Sequence, residues 1–463
     1  MRPIQPSTDP RVRCRVRCAA PGRLAALLVA AFCVAAGLAG CGGANGHGAD
    51  VPAVDSVAAV APAPASAPAG AGPTLSVAPA SQSVSAGATV RFAVRASGKA
   101  PLAYRWLANG VDVTGATGSS LSFTAAALHD GNRYTVVVTD GAGNSTVSTP
   151  ATLAVSLPAE LSGLTGRLAF LRTARSQEAR SGTLLLYDFG TRSLAAVSGA
   201  WSQVFYPKNP AFSPDGSLLV FAAYCDAAAS EEDIFVWRVG SASPPVNLTP
   251  SSGERNEDPK FSPDGTRIVF KRNGAIAMLT LADPGRVYRL TGGAGEPEAS
   301  QPYFMPDGVQ VVFSAMVRPG DPASQVIRML DVSADGIASG LRQVADGPGL
   351  QEFFPIAWGP DRVLFTRWRS ATDRSDVIVG YGLSTLALVP LAFNTPGCDN
   401  ADPFPADGQS PLVFFVDNCA GGAGGFDLVV GSVSTGKRYP LSLVDPRLAS
   451  SDDELGPVYS SRR

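Results

Sequence analysis

Apolar and polar residues alternate in short runs from Thr74 to Val155, as in Val90-Arg91-Phe92-Ala93-Val94 and Tyr134-Thr135-Val136-Val137-Val138. A period of two with frequent turns predicts strands with one buried face, and this length suits one β-sandwich. From residue 164 the pattern becomes a repeat. Its clearest copies are Asn209-Pro210-Ala211-Phe212-Ser213-Pro214-Asp215-Gly216 and Asp258-Pro259-Lys260-Phe261-Ser262-Pro263-Asp264-Gly265. In each, Pro-Asp-Gly is a tight turn, with Pro presetting φ and Gly supplying a positive φ. An apolar strand follows: Leu218–Phe221, Arg267–Phe270, Gln310–Phe313, Val363–Phe365 and Leu412–Phe415.

The first prolines, Pro210, Pro259, Pro302, Pro355, Pro403 and Pro457, recur every 43 to 54 residues. A unit of about four short strands cannot bury both faces alone, so the units must stack as propeller blades. Arg167–Leu171 and Thr183–Asp188 match the second and third strands of a repeat but lack the first, which Pro457–Ser460 supplies from the far end. The expected fold is all-β: a sandwich over 73–156, then a six-bladed propeller over 164–463, closed by a blade shared between its termini.

The repeat resembles the TolB-type, WD40-like (PD40) propeller family, whose signature is P-x-F-S-P-D-G before an apolar strand. Two copies match fully, three are degraded and the last is truncated. The sandwich resembles immunoglobulin-like domains. Trp106 follows Val94 by twelve residues, and Asp130-Gly131-Asn132-Arg133-Tyr134 resembles the tyrosine corner, with Asn132 in place of a Gly. Val94 and Val136 occupy the positions that are cysteines in antibody domains. The resemblance implies a spacer or adhesive module for the sandwich and a binding module for the propeller.

Residues 1–23 carry six arginines and one acid, and Leu24 to Gly37 runs without a charge. That is too short for a comfortable membrane span and fits a signal h-region. Leu38-Ala39-Gly40-Cys41 resembles a bacterial lipobox, which implies a signal peptide over 1–40 and lipidation of Cys41. Gly42 and Gly43 follow with no Asp, which by the same resemblance favours the outer membrane. Residues 42–72 are mostly Ala, Pro, Gly, Ser and Val and read as a tether that includes His47.

Composition narrows the chemistry. Thirty-seven Lys+Arg stand against 39 Asp+Glu, so no basic footprint points to nucleic acid. The chain has two histidines, His47 and His129, and none in the repeats. A Ser-His-Asp triad or a histidine-rich metal site within the ring is thereby excluded. No cofactor motif, metal-type cysteine spacing or G-x-S-x-G elbow appears. His129 is expected in an exposed loop.

The five residues before each motif proline are expected to ring one mouth of the channel. They hold Glu254, Glu257, Asp258, Glu298, Glu352, Asp399, Asp402, Asp452, Asp453 and Glu454, against only Lys208 and Arg255. One reading is an acidic mouth for a cationic peptide, a protein loop or Ca²⁺; the other is solvated turns whose acids bond local backbone. Cys398 and Cys419 lie equidistant from the turn at Gly408–Gln409, which places them opposite each other in a hairpin, as a disulfide candidate in an oxidising compartment. Cys225 is expected as a small buried hydrophobe.

The function these features favour is non-enzymatic binding of a cell-envelope protein or peptide, with membrane attachment through the lipid. A surface polysaccharide is the alternative ligand, favoured if Trp201, Tyr206, Trp358 and Trp368 are exposed at one mouth and disfavoured if they are buried. A hydrolase or lyase using channel carboxylates is the enzymatic alternative.

Overall fold

The computed structural model describes residues 72–462 except 176–180, 251–252, 294, 346, 348, 408–409 and 420–424. Cys41, His47, the leader and the tether lie outside the described residues, as does the Gly408–Gln409 turn.

The first part is a two-layer β-structure. Val90, Val94 and Phe92 from one layer meet Trp106, Tyr134 and Val136 from the other in a shared buried core. The strand Ala103–Ala108 pairs antiparallel with Arg133–Thr139, setting Trp106 opposite Val136. Val94 and Val136 are both buried in this core, and Phe92 stacks on Tyr134 with ring centroids 4.8 Å apart.

The remainder folds into six four-stranded antiparallel sheets. Sheet 1 orders Asp453–Ser460, Arg167–Thr173, Thr183–Asp188 and Ser193–Ala196. The first strands of sheets 2 to 6 are Phe205–Phe212, Asn256–Phe261, Glu298–Phe304, Glu352–Ala357 and Asn400–Pro405. In these five, chain order and spatial order agree. Sheet 1 joins the two ends of the repeat region, with Arg167 opposite Ser460 and Arg172 opposite Glu454.

Each sheet packs its middle strands against the next. Phe221 and Trp201 stack between sheets 1 and 2, and Phe393 and Phe415 between sheets 5 and 6. The first strand of each sheet touches that of the next, and Phe205–Phe212 touches Asp453–Ser460. The fold is therefore nearly all β and propeller-like, with its six first strands around one axis.

The Pro-Asp-Gly turns form as their chemistry requires. Gly216, Gly265 and Gly308 have φ near +70°, and each N–H donates back to residue 213, 262 or 305. In the first two, the Asp carboxylate accepts from a Ser hydroxyl, and so locks the hairpin from within.

Candidate functional site

The six first strands share one departure from regularity. The residue before each motif proline, namely Asn209, Asp258, Gln301, Phe354, Asp402 and Gly456, has φ between 49° and 55°. Proline normally pushes its predecessor to extended backbone, and only glycine takes a left-handed φ freely. Every one of these positions sits at a register shift in the strand pairing. Such bulges re-aim the residues they hold, and here all six positions face the axis. They line one central cavity of about 80 Å³ together with five of the prolines and Lys260.

Hydrogen bonds run from sheet to sheet around this cavity. Asp258 Oδ2 accepts from Gln301 N at 3.2 Å, and Gln301 Oε1 accepts from Phe354 N at 3.0 Å. Asp402 Oδ2 accepts from Gly456 N at 3.1 Å, and Asn209 Nδ2 donates to Asp258 Oδ1. The belt is interrupted after Phe354, whose side chain carries no polar atom, and after Gly456, which has no side chain. Lys260 reaches into the same space, where Asp258 and Asp402 both bear on its ammonium. Burial pushes Lys260 down to about 8, opposed by those two carboxylates. Burial likewise pushes Asp402 up to about 6 and raises Asp258.

Sequence singled out Asp258 and Asp402 but missed Lys260, Asn209, Gln301 and Phe354. The signal was available: they sit immediately before, or one after, a motif proline. Asp376 was also missed. Burial, then Asp399 and Asp402, push its carboxyl up to about 7.

The other eight acids do not gather at the axis. Seven of the ten lie within first strands rather than in loops; Glu254, Asp399 and Asp452 precede them. Glu454 is fully buried and pairs with Arg172 at 2.7 Å, and Glu352, also buried, lies 3.8 Å from Arg367. Glu254 pairs with Arg272 at 3.0 Å, Glu298 with Lys271 at 3.1 Å, and Asp453 with Arg175 at 3.4 Å. Glu257 lies between Arg255 at 2.8 Å and Lys271 at 3.4 Å. Asp399 accepts from Asn418 Nδ2 at 2.7 Å and from Asp376 N at 2.9 Å. Asp452 is partly buried. Most of these cations stand on the second strand of the same sheet, so counting charges along the loops could not register them. Lys208 is itself taken by buried Glu232 at 2.7 Å.

Trp201, Trp358 and Trp368 are 8%, 3% and 8% exposed, so they are core residues; Tyr206 is partly buried. A wider space of about 380 Å³ opens at the Pro-Asp-Gly end, lined by Phe212, Phe261, Phe304, Phe404 and Tyr459. Cys398 and Cys419 are joined, with Cα atoms 5.3 Å apart. Cys225 is buried beside Trp201 and Phe221. His129 is not in an exposed loop: it is half-buried where the sandwich meets the ring. Among the described residues, no group of three or more His, Cys, Asp or Glu is arranged to hold a metal ion, and no helix is long and apolar enough to cross a membrane.

These features define an all-β protein with a propeller-like ring and a narrow, charged axial cavity. No protein-family model matches the chain, and no curated protein does. Among solved structures it is similar to TolB from Acinetobacter baumannii, at 16% identity over 71% of this chain and 79% of that one, with a TM-score of 0.47. A putative TolB from Agrobacterium tumefaciens is similar at 15% identity over 59% and 88%, with a TM-score of 0.43. A puromycin-hydrolysing peptidase from Mycobacterium tuberculosis is similar at 17% identity over 59% and 53%, with a TM-score of 0.40. The fold is defined by the strand pairing of this chain itself, and likeness at this level decides nothing about activity.

Proposed function

We propose that the chain is an exported lipoprotein, held at the outer membrane through Cys41, whose ring binds a protein or peptide of the cell envelope without catalysis. In this reading residues 42–72 are the tether and 73–156 an immunoglobulin-like spacer or adhesive module. Residues 164–463 are a six-bladed propeller closed by the sheet that Arg167–Thr173 and Asp453–Ser460 share. The repeat signature and the contact of each first strand with the next support this architecture.

One observation carries the functional reading. The axial cavity, at about 80 Å³, is well below the few hundred Å³ usual for small-molecule sites. Its two carboxylates already share an internal ammonium, that of Lys260. In this reading a partner makes its contacts on the surrounding rim, a surface of the kind that another protein covers, and the wider space at the Pro-Asp-Gly end is the alternative seat. Glu254 and Glu298 are exposed rim acids, with side chains 37% and 57% exposed, and Asp452, like Glu254, stands five residues before its motif proline. The burial of the three tryptophans removes the feature that would have favoured a polysaccharide.

The test is affinity capture from detergent-solubilised envelopes with the full-length chain and its Glu254→Gln, Glu298→Gln, Asp452→Asn variant. One envelope protein recovered with the wild type and lost with an equally stable variant is the expected result. Recovery that is identical from both would overturn the rim as the site. No protein recovered from either would overturn protein binding, and a glycan array would follow.

A further inference from the structure

The sandwich and the ring meet through backbone groups. Residues Ala127–His129 form a single 3-10 turn at the sandwich corner. Leu128 N donates to Val444 O at 3.0 Å, and Ala127 O accepts from the Arg192 guanidinium. Behind Val444, the fully buried Asp445 accepts from Arg447 Nε at 3.0 Å, and Arg447 Nη2 donates to Arg192 O at 2.7 Å. The ring thus offers a braced surface, and the corner turn is what sits on it.

His129 closes that turn. Its Nδ1 accepts from Ala126 N at 3.0 Å. A ring nitrogen that accepts carries no proton, so the imidazole here is neutral, with its proton on Nε2. The Phe123 ring meets it edge-on at 4.9 Å. Asp445 is the charge that bears on it; around Asp445 stand Arg447 and Tyr187, and the Arg192 guanidinium reaches Ala127 O on the same turn.

We infer that His129 is a proton-operated latch on the contact between the sandwich and the ring: neutral, it pins the docked turn, and protonated at Nδ1, it releases it. A proton taken from solvent turns the acceptor into a donor that faces the Ala126 N–H. The two donors repel, the turn opens, and Ala127 O and Leu128 N leave their partners. Burial holds the imidazole below its ordinary 6.5, with Asp445 opposing. Docking is therefore at full strength above that value and is lost as the pH falls through it. This holds whatever the rim binds.

The test uses the full chain with His47→Gln, which leaves His129 as the one imidazole to be titrated by NMR. Amide protection of Leu128, corrected for intrinsic exchange, should fall about tenfold or more between about pH 7.5 and pH 5, with the midpoint of the imidazole. His129→Gln offers Ala126 an acceptor that does not titrate, and its protection should stay flat. Unchanged wild-type protection, or an equal fall in His129→Gln, overturns the latch. If Gln fails to hold the turn at any pH, the wild type decides alone. A loss of protection that follows the imidazole titration supports the latch, and one at a separate midpoint overturns it.

Discussion

Lys260 and Asp402 stand on the third and sixth sheets, half a circuit apart, and face one another in the central cavity. A lysine from one side of the ring thus balances carboxylates on both, and the pair ties opposite sheets across the axis. Lys260→Met should leave Asp258 and Asp402 without that balance. Asp402 titrates near 6 in the fold, so it is mostly neutral at pH 5 and charged at pH 7. A loss of about 1–3 kcal/mol is expected near pH 7 and a smaller one near pH 5, read from urea midpoints. Adding Asp402→Asn should recover part of it. Equal losses at both pH values would mean that packing of the lysine stem, not charge, is what matters.

Asp376 makes the opposite case, a carboxyl better off without its charge. Its folded pKa is raised, so the stability it costs is absent at low pH and grows as the pH rises from about 4 through about 7. Asp376→Asn should stabilise the chain by about 1–2 kcal/mol near pH 8 and by much less near pH 4, where the folded carboxyl is protonated and the unfolded one partly so. Melting temperatures at the two pH values check this, and a variant that is destabilised at pH 8 would refute it.

Arg172 and Glu454 join the two ends of the repeat region across sheet 1. Arg172→Leu strands a fully buried carboxylate and should cost about 3–5 kcal/mol, whereas Arg172→Leu with Glu454→Leu should cost much less. Limited proteolysis should cut the last strand, Asp453–Ser460, faster in the single variant than in the double. The two variants being equally destabilised would show that the pair adds nothing beyond its packing.

The Cys398–Cys419 bridge closes a loop of about 20 residues, for which the chain-entropy model gives about 3 kcal/mol. Replacing both cysteines with serine should lower the melting temperature by several degrees. Dithiothreitol should lower the melting temperature of the wild type by at least as much. Peptide mapping without reduction should recover residues 398 and 419 in one cross-linked species; separate peptides would refute the bridge.

The repeat was legible because a propeller-like sheet is made of local hairpins. Pro-Asp-Gly at 214–216 and 263–265 specifies a turn whatever surrounds it, and the apolar runs after it pair with their neighbours in sequence. The axial site was legible only in part. That Asp258 and Asp402 precede prolines is plain in the sequence. That a bulge turns them inward, beside a lysine that also points there, follows from six strands crowding one axis.

Charge was the property that local reading handled worst. Glu454 sits 282 residues from Arg172 in sequence and 2.7 Å away in space. Glu254 meets Arg272 on the strand that returns beside it, and Glu298 meets Lys271 on the neighbouring sheet, neither of which a window of five residues contains. His129 looked like a surface residue because the turn Asp130-Gly131-Asn132 follows it, and the segment its own turn docks on, at Val444, lies more than 300 residues later.

By itself, the amino-acid sequence determined the strands, the turns and the sixfold repeat, because these depend on φ preferences and alternation within about ten residues. Only the tertiary structure decided which charges are paired, what faces the axis and how the sandwich is seated. Those depend on which strands become neighbours, and ion pairs and burial act through distances in space that chain order does not encode.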